Sequence, residues 1–332
     1  MNTPVLIIGA GPAGLAVAAQ LRDQNIDFEV LEKSDKIAFA WHNHYDRLCL
    51  HTVKEFSNLP LMEFPDDYPE YVPRATLVEY FERYAKHFKI EPHFNQEVSK
   101  VTRNGDGWVV KTKAGLSVEA EQVIVATGVN RIPHQPVWKG QDNFEGEIVH
   151  SRNYKNPQPF IGKRVLVIGF GNTGAELALD LAEHDVDTTV SIRSAVSIVP
   201  RDLNGRPVQK TAIKLAKLPF GLGDWLGTQI RKIYFGDLSK YGIPQSKVHP
   251  AVQLRETGKT PVIDLGTIKE IKKGKIKVVG DLENFLPKGV QLKTGEELEF
   301  DSIILSTGYR AKLEDFIPSV GQFLDSHALP KQ

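Results

Sequence analysis

Two glycine turns, each set between a buried strand and an apolar-periodic helix, predict an α/β chain with two Rossmann-like dinucleotide-binding domains, one inserted in the other. The first turn lies in VLIIGAGPAG, residues 5–14, and the second in RVLVIGFGNTG, residues 164–174. Each is followed downstream by a strand that ends in Thr-Gly, VIVATG at 123–128 and SIILSTG at 302–308. The same architecture is used twice.

Taken in order, residues 5–8 form an apolar strand, and the chain then turns at Gly9 and Gly11 into a helix over 13–21. Gly9 permits the sharp turn, Gly11 lets backbone amides approach a pyrophosphate, and Gly14 lets the helix pack closely on its strand. Residues 28–31 follow as a second parallel strand. It ends at Glu32, about 20 residues past the turn, where a carboxylate accepts from ribose hydroxyls and repels a 2′-phosphate. The first site is therefore expected to take FAD or NAD rather than NADP.

Residues 37–71 are irregular and rich in aromatic residues, His and Pro, a long loop of the kind that carries function. His42, His44 and His51 have no acidic or thiol partner at zinc-site spacing, so no metal is expected. Residues 74–88 read as an amphipathic core helix with Leu77, Phe81, Tyr84 and Phe88 on one stripe. Residues 97–103, 107–113 and 116–120 read as a three-strand meander ahead of the buried strand 123–128.

The pattern then restarts. Residues 164–168 form a strand, Gly169, Gly171 and Gly174 the turn, 175–183 a helix and 188–192 the next strand, which runs into Arg193 and Ser194 rather than an acid. An arginine there pairs bidentately with a 2′-phosphate, so NADPH is expected; a solvated surface arginine is the other reading. Residues 268–271, 275–279 and 289–293 read as a second meander. Between 202 and 247 lies a helical segment with Leu, Phe, Trp and interspersed Lys and Arg, broken by Pro219. It is expected to cap the second domain, with a membrane contact as the alternative.

Lys+Arg and Asp+Glu each number 41, so no charge excess draws the chain to nucleic acid or to an anionic membrane, and any positive patch is expected to be local. The single cysteine, Cys49, lies in an apolar LCL stretch and is expected to be a small buried hydrophobe. It excludes both a disulfide framework and the CxxC pair of pyridine nucleotide-disulfide reductases. No leader precedes the first strand and no charge-free apolar stretch would span a bilayer, so a cytoplasmic protein without a transmembrane segment is expected. A homodimer is left open.

The stretch FEGEIVHSRNYK fits the fingerprint FxGxxxHxxx(Y/F)(K/R) at every fixed position: Phe144, Gly146, His150, Tyr154 and Lys155. With YDRLCLH, FPDDYPEY, GKRVLVIGFGNTG, GKTPVIDLG and STGYR, it resembles the class B flavin-dependent monooxygenases over nearly the whole chain. Within that family, which includes the flavin-containing monooxygenases, the wording is most similar to the plant YUCCA branch.

The resemblance implies that FAD is held by Gly9, Ala10, Gly11, Pro12, Ala13, Gly14, Glu32 and Lys33, with Trp41 and Val98 at flavin-contact positions. It adds Ala126, Thr127, Gly128, Thr307 and Gly308, at the ends of the Thr-Gly strands. NADPH falls to Gly169, Gly171, Asn172, Thr173, Gly174, Arg193 and Ser194. His51 stands where flavin-containing monooxygenases carry an Asn beside the flavin, and the fingerprint with His150 is implied to be a linker that couples the lobes.

The implied domains are an FAD domain over 1–156, with 300–332 returning to it, and an inserted NADPH domain over 157–299. The implied reaction reduces FAD with NADPH, adds dioxygen at flavin carbon 4a as a hydroperoxide, and passes one oxygen to a small organic substrate. Decarboxylating oxidation of a 2-oxo acid and N- or S-oxygenation use the same intermediate. The family pattern continues past STGYR to a last strand and helix, for which residues 311–332 offer no match. Two other readings stay open: a flavin oxidoreductase serving an external acceptor, and a non-catalytic nucleotide-binding protein.

Overall fold

The computed structural model describes residues 1–218, 221–246, 248, 250, 252–253, 258, 260–324 and 331. Pro219 and Lys259, on which parts of the sequence reading fall, lie outside them. The chain divides into two compact units, Met1–Ile132 with Tyr309–Gln332, and Pro133–Gly308. The expected boundaries after 156 and 299 both fall inside the second unit. The reason is pairing: strands at 147–150 and 302–305 are built into the second unit's sheet.

In unit 1, β1 (Asn2–Ile8) and α1 (Pro12–Asp23) flank the first turn, and β2 (Phe28–Leu31) pairs parallel with β1. A one-turn helix α2 (Phe39–His42) and a loop lead to α3 (Arg74–His87). Then come β3 (Val98–Asn104), β4 (Gly107–Thr112) and β5 (Ser117–Val125), giving the order β2-β1-β5-β4-β3. The third meander strand and the VIVATG strand are thus one strand. Its first half pairs antiparallel with β4, and its length from Glu119 to Val125 pairs parallel with β1. Exposed Glu121 and Gln122 looked like a break in the sequence but lie within it.

One face of this sheet packs α1 and α3 in a core that includes Ile7, Leu15, Val30, Leu77, Phe81 and Tyr84. The other face, with Leu6, Ile8, Leu31 and Val110, is covered by Phe316, Ile317 and Val320 from the returning C-terminal segment. The Val101 N–H donates to the Phe316 carbonyl at 2.7 Å, and Arg131 donates to the Lys312 carbonyl and the Asp315 carboxylate while its guanidinium lies over the Phe316 ring.

The chain passes through β6 (Ile132–Pro133) into unit 2, where β7 (Glu147–His150), β8 (Arg164–Ile168), α4 (Asn172–Glu183) and β9 (Asp187–Ser191) follow. Short strands β10 (Ile198–Pro200), β11 (Asp202–Leu203) and β12 (Arg206–Pro207) precede α5 (Val208–Leu215) and α6 (Leu222–Phe235). Next are β13 (Val262–Asp264), α7 (Thr267–Lys272), β14 (Ile276–Val279), β15 (Leu282–Leu286), β16 (Gly289–Leu292), β17 (Glu297–Glu299) and β18 (Ser302–Leu305). β19 (Tyr309–Arg310) returns to unit 1.

The main sheet of unit 2 is fully parallel in the order β14-β9-β8-β18-β7. The expected second meander is shifted. Residues 268–271 belong to helix α7, because Asp264 accepts from the Gly266 and Ile268 N–H groups and starts a helix there. β14 is a parallel strand beside β9, and the meander is β15-β16-β17. Its core of Phe285, Val290 and Leu292 packs on Leu166, Ile303 and Leu305.

Candidate dinucleotide cradles

The first cradle follows from sterics. Gly9 has φ +110°, and a Cβ there would stand 2.6 Å from the Ala126 carbonyl oxygen. A Cβ on Gly14 would overlap the Gly9 carbonyl. Around Gly11, in contrast, a Cβ meets nothing within 4 Å, so there is room for a ligand to approach the backbone. Pro12 opens α1 with no side-chain cap, leaving first-turn amides such as that of Ala13 for an anion. The strand ends are welded to the turn: Gly9 N–H donates to Leu31 and Ala126 N–H to Ile8. Thr127 and Gly128 follow directly.

Glu32 is buried, and its carboxylate spans the turn. Oε2 accepts from the Ala10 N–H at 2.8 Å, and Oε1 accepts from the Ser34 N–H at 2.9 Å and the Ser34 hydroxyl at 2.7 Å. These bonds fix the carboxylate and leave lone pairs for ribose hydroxyls. Ser34 was missed by the sequence reading, although a serine two residues past an acid is a recognisable local capping signal. Lys33 beside it is exposed.

The loop after β2 starts at the turn, since the Ala38 N–H donates to the Ala10 carbonyl at 2.9 Å. Trp41 then packs half-buried against Phe81, with its ring also near His44. Three hydroxyl contacts from α3 hold the rest. Tyr80 accepts from the Leu59 N–H and donates to the Met62 carbonyl, and Tyr84 donates to Pro60. Burial pushes both phenols above their usual pKa, keeping them neutral donors. His51 and Cys49 are half-buried on the same loop, so the expectation of a fully buried Cys49 is corrected. Val98 lies in the core with Leu6 and Ile8, on the sheet face opposite α1.

The second cradle repeats the first. Gly169 has φ +105° and abuts the Ser306 carbonyl, Gly174 abuts Gly169, and Gly171 again faces open space as the N-cap of α4. Thr307 and Gly308 continue from Ser306 and belong to the second unit. Thr173 is half-buried in the first turn of α4. The Asn172 side chain is engaged: its Oδ1 accepts from the Ile263 N–H at 2.7 Å and its Nδ2 donates to the Pro261 carbonyl at 3.1 Å. It staples the loop before β13 to the helix start.

Arg193 and Ser194 are exposed just beyond β9. Lys293 from the β16–β17 hairpin is close enough for its titration to feel Arg193. The Asp281 carboxylate, 2.6 Å away, raises the Lys293 pKa, and the Arg193 charge opposes that rise. Sequence periodicity carries no signal for this neighbour.

The fingerprint residues all belong to unit 2. A Cβ on Gly146 would strike the Phe144 ring, and Phe144 meets Phe285 of the meander edge-on. His150 is buried, and its Nδ1 accepts from the Arg152 N–H at 3.1 Å. Burial pushes its pKa down, aided by the nearby Arg152 and His134 charges and opposed by a hydrogen bond with the Gly308 backbone. Tyr154 is buried, stacks on Phe160 and donates to Asp180 Oδ2 of α4 at 2.7 Å. Lys155 is exposed. The motif thereby ties β7 to the meander, to the end of β18 and to the nucleotide helix.

Residues 6–208 match the pyridine nucleotide-disulphide oxidoreductase family. The chain is 38% identical over 342 residues to the probable indole-3-pyruvate monooxygenase YUCCA8 of Arabidopsis thaliana, covering 100% of this chain and 80% of that protein. It is 37% identical over 330 residues to the indole-3-pyruvate monooxygenase YUCCA1 of Oryza sativa subsp. japonica, covering 98% and 81%. Among solved structures, a flavin-containing monooxygenase from Stenotrophomonas maltophilia superposes with a TM-score of 0.74 at 21% identity, covering 100% of this chain and 85% of that one. An oxidised steroid monooxygenase bound to NADP gives 0.74 at 20% identity, over 93% and 71%. With both cradles and the fingerprint in place, these likenesses show that the chain belongs to the class B flavin-dependent monooxygenases, FAD- and NADPH-dependent oxidoreductases, in the branch that holds the YUCCA enzymes.

Proposed function

We propose that the first turn holds FAD, the second holds NADPH, and the substrate is a small 2-oxo acid that is oxygenated with loss of carbon dioxide. The observation that carries the cofactor assignment is the contrast between a buried, triply hydrogen-bonded Glu32 after one turn and an exposed Arg193 after the other. The substrate class rests on the names of the relatives, indole-3-pyruvate monooxygenases at 38% and 37% identity.

Bound FAD supplies a two-electron carrier that NADPH reduces and dioxygen reoxidises. The chain's own residues do the rest. The α1 N-terminus and the open backbone at Gly11 receive one pyrophosphate, and the carboxylate of Glu32 takes ribose hydroxyls. The α4 N-terminus and Gly171 receive the other pyrophosphate, and Arg193, with Ser194, pairs with the 2′-phosphate. The loop carrying Trp41 and His51 is held rigid by Tyr80 and Tyr84, and His51 is assigned to the flavin's neighbourhood. In the balanced reaction, NADPH, a proton, dioxygen and the 2-oxo acid give NADP, water, carbon dioxide and the carboxylic acid one carbon shorter.

The test is stoichiometry with the FAD-loaded full chain and indole-3-pyruvate. One carboxylic acid and one carbon dioxide per NADPH, with little hydrogen peroxide, is the expected result. NADPH oxidation that ignores 2-oxo acids and delivers its electrons to peroxide or an added quinone would overturn the substrate assignment.

A further inference from the structure

The hairpin of α5 and α6 has two unlike sides. Its inner side is fastened to unit 2: Phe235 is buried, Arg231 donates to the Ser197 hydroxyl at 3.2 Å, and Lys272 donates to the Phe235 carbonyl at 2.8 Å. The two helices also touch each other, since a Cβ on the buried Gly223 would overlap the Leu215 carbonyl. The hairpin is therefore a braced element with a fixed outer face.

That outer face is apolar. On a helical wheel Leu222, Trp225 and Ile233 share one stripe of α6, opposite Arg231, and they are 47%, 59% and 84% exposed. Ile213 and Leu218 are exposed on the α5 side. The charge of the segment is one-sided. Between Arg206 and Lys240 there are seven Lys and Arg against two Asp, in a chain whose formal net charge is zero. Lys214, Lys217 and Lys232 are exposed among the apolar residues.

From this we infer that the α5–α6 face is a docking surface for an anionic lipid bilayer, on which the protein lies without crossing it. An amphipathic helix with Trp and aliphatic residues outward and a cationic rim is built to sink its apolar face to the level of the headgroups. Among the described residues no helix is long and apolar enough to cross a membrane. A second copy of the chain is a poorer occupant, because a two-fold contact would set this basic rim against itself. None of its residues belongs to the glycine turn or the strand end of the second cradle.

The test uses the full chain with vesicles of phosphatidylcholine alone or mixed with phosphatidylserine. Flotation only with the mixed vesicles, reversed by raised salt, is expected, with a blue shift of tryptophan emission that Trp225→Phe removes. Ile233→Glu should weaken the partition about tenfold or more, and Lys214→Glu with Lys217→Glu should abolish the preference for the anionic lipid. Far-UV circular dichroism and NADPH affinity should stay unchanged in all three variants. No flotation of the wild type with mixed vesicles at low salt, or flotation that Ile233→Glu leaves intact, would overturn the inference. So would a dimer that Ile233→Glu dissociates while no vesicle is bound.

Discussion

At the scale of single residues, opposite charges at equivalent places do most to tell the two cradles apart. Glu32 is buried and held by Ala10 and Ser34, whereas Arg193 is exposed with Lys293 nearby. If Arg193 holds the 2′-phosphate as proposed, Arg193→Ala forfeits a charge-assisted pair worth about 1.5–3 kcal/mol, so KM for NADPH should rise about 10- to 150-fold. Steady-state kinetics with both nucleotides check this, because KM for NADH should stay put. His150 gives a second expectation. Burial depresses its pKa below 6.5, so as pH falls through and beneath that value the unfolded chain binds a proton that the folded chain resists, and stability drains away. The gap in urea midpoint between wild type and His150→Gln should narrow from neutral pH to about 5. A gap that stays constant would remove His150 as the source.

At the scale of elements, the tyrosines of α3 matter more to the loop than to the helix. Tyr80→Phe leaves the Leu59 N–H and the Met62 carbonyl without their partner, at a cost of about 1–3 kcal/mol. Faster amide exchange confined to residues near 59–62 should follow, and exchange raised uniformly over unit 1 would contradict it. This fastening was illegible in the sequence, where Tyr84 read only as helix periodicity and Tyr80 carried no signal. The strand, turn and helix units were legible, because Gly9, Gly14, Gly169 and Gly174 stand where no Cβ fits. The single strand Ser117–Val125 was not, since polar Glu121 and Gln122 interrupt an apolar run whose pairing is decided by the distant β1. Helix α7 was misread for a related reason. Its short apolar run suits strand or helix, and the deciding cue was the cap at Asp264. Asn172 illustrates the converse, a motif position whose side chain binds its own protein.

At the scale of the molecule, unit 1 is discontinuous and its second face depends on residues that follow unit 2 in the sequence. Phe316 is 3% exposed beneath Leu6, Ile8 and Val110, so Phe316→Ala should cost about 3–5 kcal/mol. Urea unfolding followed through Trp108, which packs on that cluster, should shift, while the tryptophan signal of Trp138 in unit 2 should move little. The covering segment also sets a timetable for synthesis. While the ribosome makes the whole of Pro133–Gly308, roughly 10 to 35 seconds at common elongation speeds, the sheet face that includes Leu6 and Ile8 lacks its cover of Phe316, Ile317 and Val320. Chains truncated after Gly308 and released should therefore be cut by protease within Met1–Ile132 and resist it within unit 2, making the first part translated the last to mature and a client for a holding chaperone.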